Sequence, residues 1–130
     1  MSRTQTSPSA SSTTTESDRF LLFDKQQYYV CNGQIPTETQ DEGYTAFIEY
    51  MDSGAEGDKF DGFELVARLH MPESGRVCVI CKAADAKALF RHFMFWRSMF
   101  GLDFEYAMAL TCAEMVEMQR EHNERLDDAD

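Results

Sequence analysis

The chain of 130 residues carries 23 acidic against 12 basic side chains, a formal charge of -11, and is 43% hydrophobic and 27% charged. A domain of that size buries about two thirds of the surface its unfolded chain exposes, so a core forms without metal or disulfide staples. The negative balance repels phosphate backbones and anionic membrane surfaces, and no apolar run reaches the roughly 18 to 20 residues that cross a bilayer, which removes nucleic acid and membrane as partners.

Residues 1–18 are built mainly from Ser and Thr with one Pro and, beyond Met1, no aliphatic side chain larger than that of Ala10, so they have nothing useful to bury and read as a disordered tail. A single domain is expected over 19–125, closed by an acidic tip at 126–130. The apolar run 20–23, followed by Tyr28, Tyr29 and Val30, predicts one long strand or two short ones ending at the turn pair Asn32 and Gly33. Tyr44, Phe47, Ile48 and Met51 fall at helical spacing opposite Glu49 and Asp52, and Gly54 stops that helix. Phe63, Leu65, Ala67, Leu69 and Met71 alternate with Glu64, Arg68 and His70. That second strand ends at the turn 72–75, which leads into a third over 76–83, rich in Val, Ile and Cys.

A second helix is predicted over 85–100, with Leu89, Phe93, Trp96 and Phe100 on one stripe and Gly101 as the stop. Residues 102–110 alternate again as a fourth strand. Thr111 and Glu114 then form a capping box that opens a third helix to about Arg125, with Cys112, Met115 and Val116 on its buried side. The order strand, helix, strand, strand, helix, strand is the split pattern of a ferredoxin-like α+β sandwich, βαββαβ, with an added C-terminal helix. Its two crossover helices shelter one face of the sheet. The other face carries Val66, Cys78 or Ile80 and needs a cover in water, from the C-terminal helix or a second subunit; a homodimer in a dimeric α+β barrel arrangement is expected.

The stretches from Gly62 to Arg68 (GFELVAR) and from Pro72 to Ala83 (PESGRVCVICKA), followed by Leu89, His92, Trp96 and the run FGLD at 100–103, resemble the uncharacterised, largely cyanobacterial family catalogued as domain of unknown function 3303. The resemblance spans about 42–120. It implies a compact ferredoxin-like α+β domain and supplies no activity, cofactor or catalytic residue.

The residues themselves give two candidate surfaces. His92 lies four residues before Trp96 on one side of the second helix, so an aromatic-lined pocket with a titratable group is expected there, unless His92 merely packs at a helix edge. His70 is expected on the open side of the sheet near Arg68, as a ligand-facing or half-exposed strand residue. Together Arg68, His70, His92 and Trp96 are the candidate ligand pocket. Phe90, Met94 and Phe95 lie on the helix sides that should meet water, flanked by Arg91 and Arg97, and form a candidate protein interface.

No Ser-His-Asp or Cys-His signature organises a nucleophile, so no catalytic residue is assigned. Cys78 and Cys81 are spaced C-x-x-C, but within a strand they point to opposite faces about 10 Å apart, too far for a bridge, and no further ligands complete a zinc site. Nine carboxylates crowd residues 38–64 against one lysine without the spacing of a calcium loop, and read as a solvated loop. Neither metal nor cofactor is expected. Sparse cysteines and the lack of a basic-then-apolar start point to reduced thiols and a cytoplasmic location. The functional expectation is a non-catalytic protein-binding or assembly module. The alternative is a monooxygenase-like, small-molecule-binding enzyme of the dimeric α+β barrel type, with His70 or His92 as acid, base or ligand.

Overall fold

The computed structural model describes residues 26–129; the segment 1–18 and the 20–23 part of the predicted first strand lie outside the described residues. Strand β1 (Gln27–Gln34) leads to helix α1 (Gln40–Asp52), the two-residue strand β2 (Lys59–Phe60) and the hairpin of β3 (Phe63–Met71) and β4 (Arg76–Ala83). Helix α2 (Ala86–Phe100), strand β5 (Asp103–Ala109) and helix α3 (Cys112–Ala129) complete the α+β chain. The strands form one antiparallel sheet in the order β2-β3-β4-β1-β5. Strand β2 is too short for any sequence period to reveal it.

Helix ends follow the local chemistry. The Asp85 carboxylate accepts a hydrogen bond from the Ala88 amide at 2.9 Å, satisfying a free donor of the first turn of α2. Gly101, at φ 74°, ends the same helix in the left-handed region that a side chain resists. The capping box at α3 forms as the sequence predicts: the Glu114 amide donates to Thr111 Oγ1 at 3.1 Å, and the Thr111 amide donates to Glu114 Oε1 at 2.9 Å. The helix then runs past Arg125 to Ala129.

Residues directly opposite each other on paired strands share a face of the sheet. One face carries the row Arg68, Val79, Cys31, Tyr106 and the row His70, Val77, Gly33, Phe104. The other carries the row Ala67, Ile80, Val30, Ala107 and the row Leu69, Cys78, Asn32, Glu105. The helices α1 and α2 cover the first. Its core joins Cys31, Val77, Val79 and Cys81 of the sheet to Leu89 and Phe93 of α2, with Ile35, Phe63 and Leu102 closing the ends. Burying a side chain of the Leu or Phe class stabilises by about 1.5–3 kcal/mol, so this cluster carries most of the drive to fold.

The register also corrects an expectation. A β-bulge between Leu65 and Ala67 makes Val66 an extra residue, so the side-chain alternation of β3 inverts beyond it. Phe63 and Leu65 lie on the helix side, but Leu69 and Met71 emerge on the open face, 63% and 41% exposed. Arg68 and His70 take the inward places. His70 therefore does not face the open side of the sheet, as unbroken alternation requires; it lies under the helices.

Two further expectations change. In α1, Tyr44 packs on the core and Phe47 on the rings of Tyr44, His70 and Trp96, while Ile48 and Met51 of the same predicted stripe stay exposed. In α3 every residue from Cys112 to Ala129 is exposed, so the side expected to be buried, Cys112, Met115 and Val116, meets no partner among the described residues. The C-terminal helix leaves the open sheet face uncovered.

Candidate functional site

Cys78 on the open face and the buried Cys81 stand on opposite sides of β4, and all four cysteines are free. The hydrogen bond with Cys81, and after it burial, pushes the Cys31 thiol up, so Cys31 acts as a packed, protonated group, while the same hydrogen bond outweighs burial at Cys81 and holds that thiol below its usual range. Among the described residues no set of three or more His, Cys, Asp or Glu side chains is placed to hold a metal ion, and no helix is long and apolar enough to cross a membrane. The chemistry that remains lies between the helices and the sheet.

Because the bulge turns Arg68 and His70 inward, they meet His92 and Trp96 of α2 around one cavity of about 60 Å³. Tyr44 and Phe47 of α1 form another wall, and Val77, Val79 and Phe104 form the sheet floor. Gly33 makes the last of these possible, since a Cβ there would run into the Phe104 ring. The walls are strongly aromatic. Phe47 and Trp96 lie edge to face with centroids 6.1 Å apart, and Phe47 is 5.0 Å from the His70 ring.

Each polar group at this cavity has a fixed partner on one side. Arg68 grips Asp58 with two parallel hydrogen bonds, Nη1 to Oδ1 at 2.8 Å and Nη2 to Oδ2 at 3.1 Å, and lies 4.9 Å over the Phe47 ring. Tyr50 donates to the same carboxylate at 2.7 Å. Burial pushes the Asp58 carboxyl up, but hydrogen bonds from Arg68 and Tyr50, aided by the guanidinium charge, outweigh it and hold the group below its usual range. The His92 Nδ1–H donates to the Gly57 carbonyl at 2.8 Å, and one ring face stacks on Phe63 at 4.3 Å. A carbonyl only accepts, which fixes the proton on Nδ1 and leaves Nε2 as a lone-pair acceptor in the neutral ring. His70 Nδ1 bonds the Tyr44 hydroxyl at 3.0 Å.

Burial pulls both imidazoles below their ordinary range. The Arg68 charge adds to that effect at His70, whereas the Gly57 hydrogen bond partly opposes it at His92. Both rings are therefore neutral at pH 7, and Arg68, the one cation at the cavity among the described residues, is already neutralised by Asp58. Among the described residues no unmatched charge faces the interior.

The sequence singled out Arg68, His70, His92 and Trp96, and these four share the cavity. It missed Tyr44, Tyr50 and Asp58. Tyr44 is legible as a core residue of α1, but nothing in its spacing shows that it reaches His70. Asp58 looked like one more solvated carboxylate, because only the short β2–β3 hairpin carries it under Arg68. The outward residues of α2, Phe90, Met94 and Phe95, are 48%, 62% and 54% exposed and stand apart from the cavity.

A search of curated proteins finds no relative that matches the chain. The model of the family described as "Domain of unknown function (DUF3303)" matches residues 27–123, from the first residue of β1 into α3, so every element that builds the cavity falls within it. The chain therefore belongs to the DUF3303 family.

Proposed function

We propose that the protein is a non-catalytic assembly module, a ferredoxin-like subunit that pairs with a second copy through its open sheet face in the manner of a dimeric α+β barrel. The observation that carries this reading is the coexistence of two unpartnered apolar surfaces, the open face and α3. An 18-residue helix with no buried side chain has little to hold it in water beyond its cap, since helices in proteins draw most of their stability from packing. Each copy offers one face and one helix, and a two-fold axis matches both without remainder. The four long strands give a face of about 19 by 26 Å, or roughly 500 Å². The length and width of α3 add about 270 Å². Together they approach the ~800 Å² per partner of a standard interface.

The order β3-β4-β1-β5, with α1 and α2 on one side, supports the ferredoxin-like description. Four free thiols fit a reducing, cytoplasmic setting. The exposed Phe90, Met94 and Phe95 support a contact with another protein, with Arg91 and Arg97 beside them for an acidic rim. Sedimentation of the full chain is expected to give a dimer, and Leu69→Glu a monomer of unchanged circular dichroism. A wild-type protein that stays monomeric at high micromolar concentration overturns the assembly reading. Phe95→Asp removes the α2 patch from it if oligomeric state and partner capture are both unaltered. A second reading, a small-molecule-binding enzyme of the same dimeric class, draws on one observation: the four candidate residues surround a single cavity.

A further inference from the structure

We infer that the cavity between α1, α2 and the sheet seats the hydroxyl-bearing end of a neutral, chiefly apolar molecule, held at His92 Nε2. This deepens the small-molecule reading and is independent of the assembly reading. Charge sets the first limit on the ligand. Arg68 spends both of its terminal nitrogens on Asp58, and the two imidazoles are neutral, so an anion finds no free cation and a cation finds no free carboxylate.

Size sets the second limit. A volume of about 60 Å³ is less than half of the ~150 Å³ in which an engineered apolar cavity takes up benzene, so only a few non-hydrogen atoms are enclosed. Aromatic walls at Phe47 and Trp96 favour an aliphatic or aromatic body over a polar one. The polar handle sets the third. His92 is 8% exposed, its Nδ1–H is committed to Gly57 and one face is covered by Phe63, which leaves the Nε2 edge without a hydrogen-bond partner among the described residues. Such a buried acceptor calls for a donor. When the Tyr44 hydroxyl donates to His70 Nδ1, the second imidazole presents an N–H at its own Nε2, so the cavity wall offers one acceptor and one donor. A hydroxyl matches both.

The test uses the full chain and the fluorescence of Trp96, the one tryptophan it has, which lies in the cavity wall. Butan-1-ol and diethyl ether are constitutional isomers of nearly equal volume, and the ether lacks the donor. Butan-1-ol is expected to change the emission saturably, with a Kd about tenfold or more below that of the ether, while butyrate has no effect. His92→Phe, which keeps a ring stacked on Phe63, is expected to abolish the preference for the alcohol. Equal, saturable binding of alcohol and ether by the wild-type protein overturns the hydroxyl assignment and leaves the cavity reading standing. Saturable binding of neither overturns both, whatever the variant does.

Discussion

Replacing Arg68 by Met strips Asp58 of its bidentate partner and leaves Tyr50 as the one side-chain donor to that carboxylate among the described residues. The Arg68 and Asp58 side chains are 12% and 18% exposed, so this is a desolvated pair. Removing one member of such a pair costs about 3–5 kcal/mol, because the survivor stays buried without compensation. The Met stem keeps the contact with Phe47, and residual water at Asp58 softens the penalty. A loss near 3 kcal/mol at neutral pH is expected.

The pH dependence fixes the sign. In the wild-type protein the Asp58 pKa is lowered on folding, so below about pH 4 the unfolded chain binds the proton first. The pair's contribution is complete above that pH and is lost as pH falls through the depressed folded value. Without Arg68, burial pushes the Asp58 pKa up instead, so the variant's deficit is largest near neutrality and shrinks on acidification. Urea unfolding of wild type, Arg68→Met, Asp58→Leu and the double variant between about pH 7 and pH 4 measures this. The double variant is expected to recover most of the loss of Arg68→Met, since no orphaned charge remains. A deficit under about 1 kcal/mol, or one constant across the pH range, refutes the reasoning and makes the pair an ordinary solvated one.

Three further outcomes follow from the same packing. Gly33→Ala is expected to cost about 1–3 kcal/mol in urea unfolding, because its methyl displaces the Phe104 ring, and a neutral result would show that the ring moves freely. The buried His92 and the half-buried His70 both have lowered pKa values, so the unfolded chain protonates first below about pH 6.5 and wild-type stability declines as pH falls from 7 towards 5. His92→Phe is expected to flatten that decline by up to about 1.4 kcal/mol per pH unit, as measured by thermal unfolding across the range. Asp85→Ala removes the α2 cap and is expected to cost about 1 kcal/mol in chemical denaturation; no change in the midpoint would mean that solvent replaces the cap.

The predicted elements of the domain from Tyr28 to α3 were legible because each announces itself locally: period-two alternation in β3 and β5, the stripe Leu89, Phe93, Trp96 and Phe100 in α2, and the Thr111–Glu114 box. What was not legible depends on contacts across the chain. The bulge at Val66 leaves no mark in composition, since every residue from Phe63 to Met71 suits a strand, and the ladder to β4 alone reveals the extra residue. Placing His70 on the wrong side was the direct result. Likewise, the sequence of α3 has the apolar spacing of a packed helix, and spacing alone does not say which molecule provides the surface. The pocket residues were chosen for their chemistry, and the tie between Arg68 and Asp58 was not, because it joins a strand to a glycine-rich loop.

The extra residue in β3 has a heritable consequence. Parity along a strand is binary, so flattening the bulge with Val66 kept in the ladder would exchange the roles of everything downstream: Arg68 and His70 would turn outward into solvent, and Leu69 and Met71 would point under the helices, whereas losing the codon of Val66 itself would leave them where they are. Such a flattening would delete the chamber's polar furniture without altering one of its residues. Lineages that keep the chamber are therefore bound to the match between residue count and bulge in this strand more tightly than to the identity of most side chains on it, and other insertions or deletions should collect in the turn at 72–75 instead.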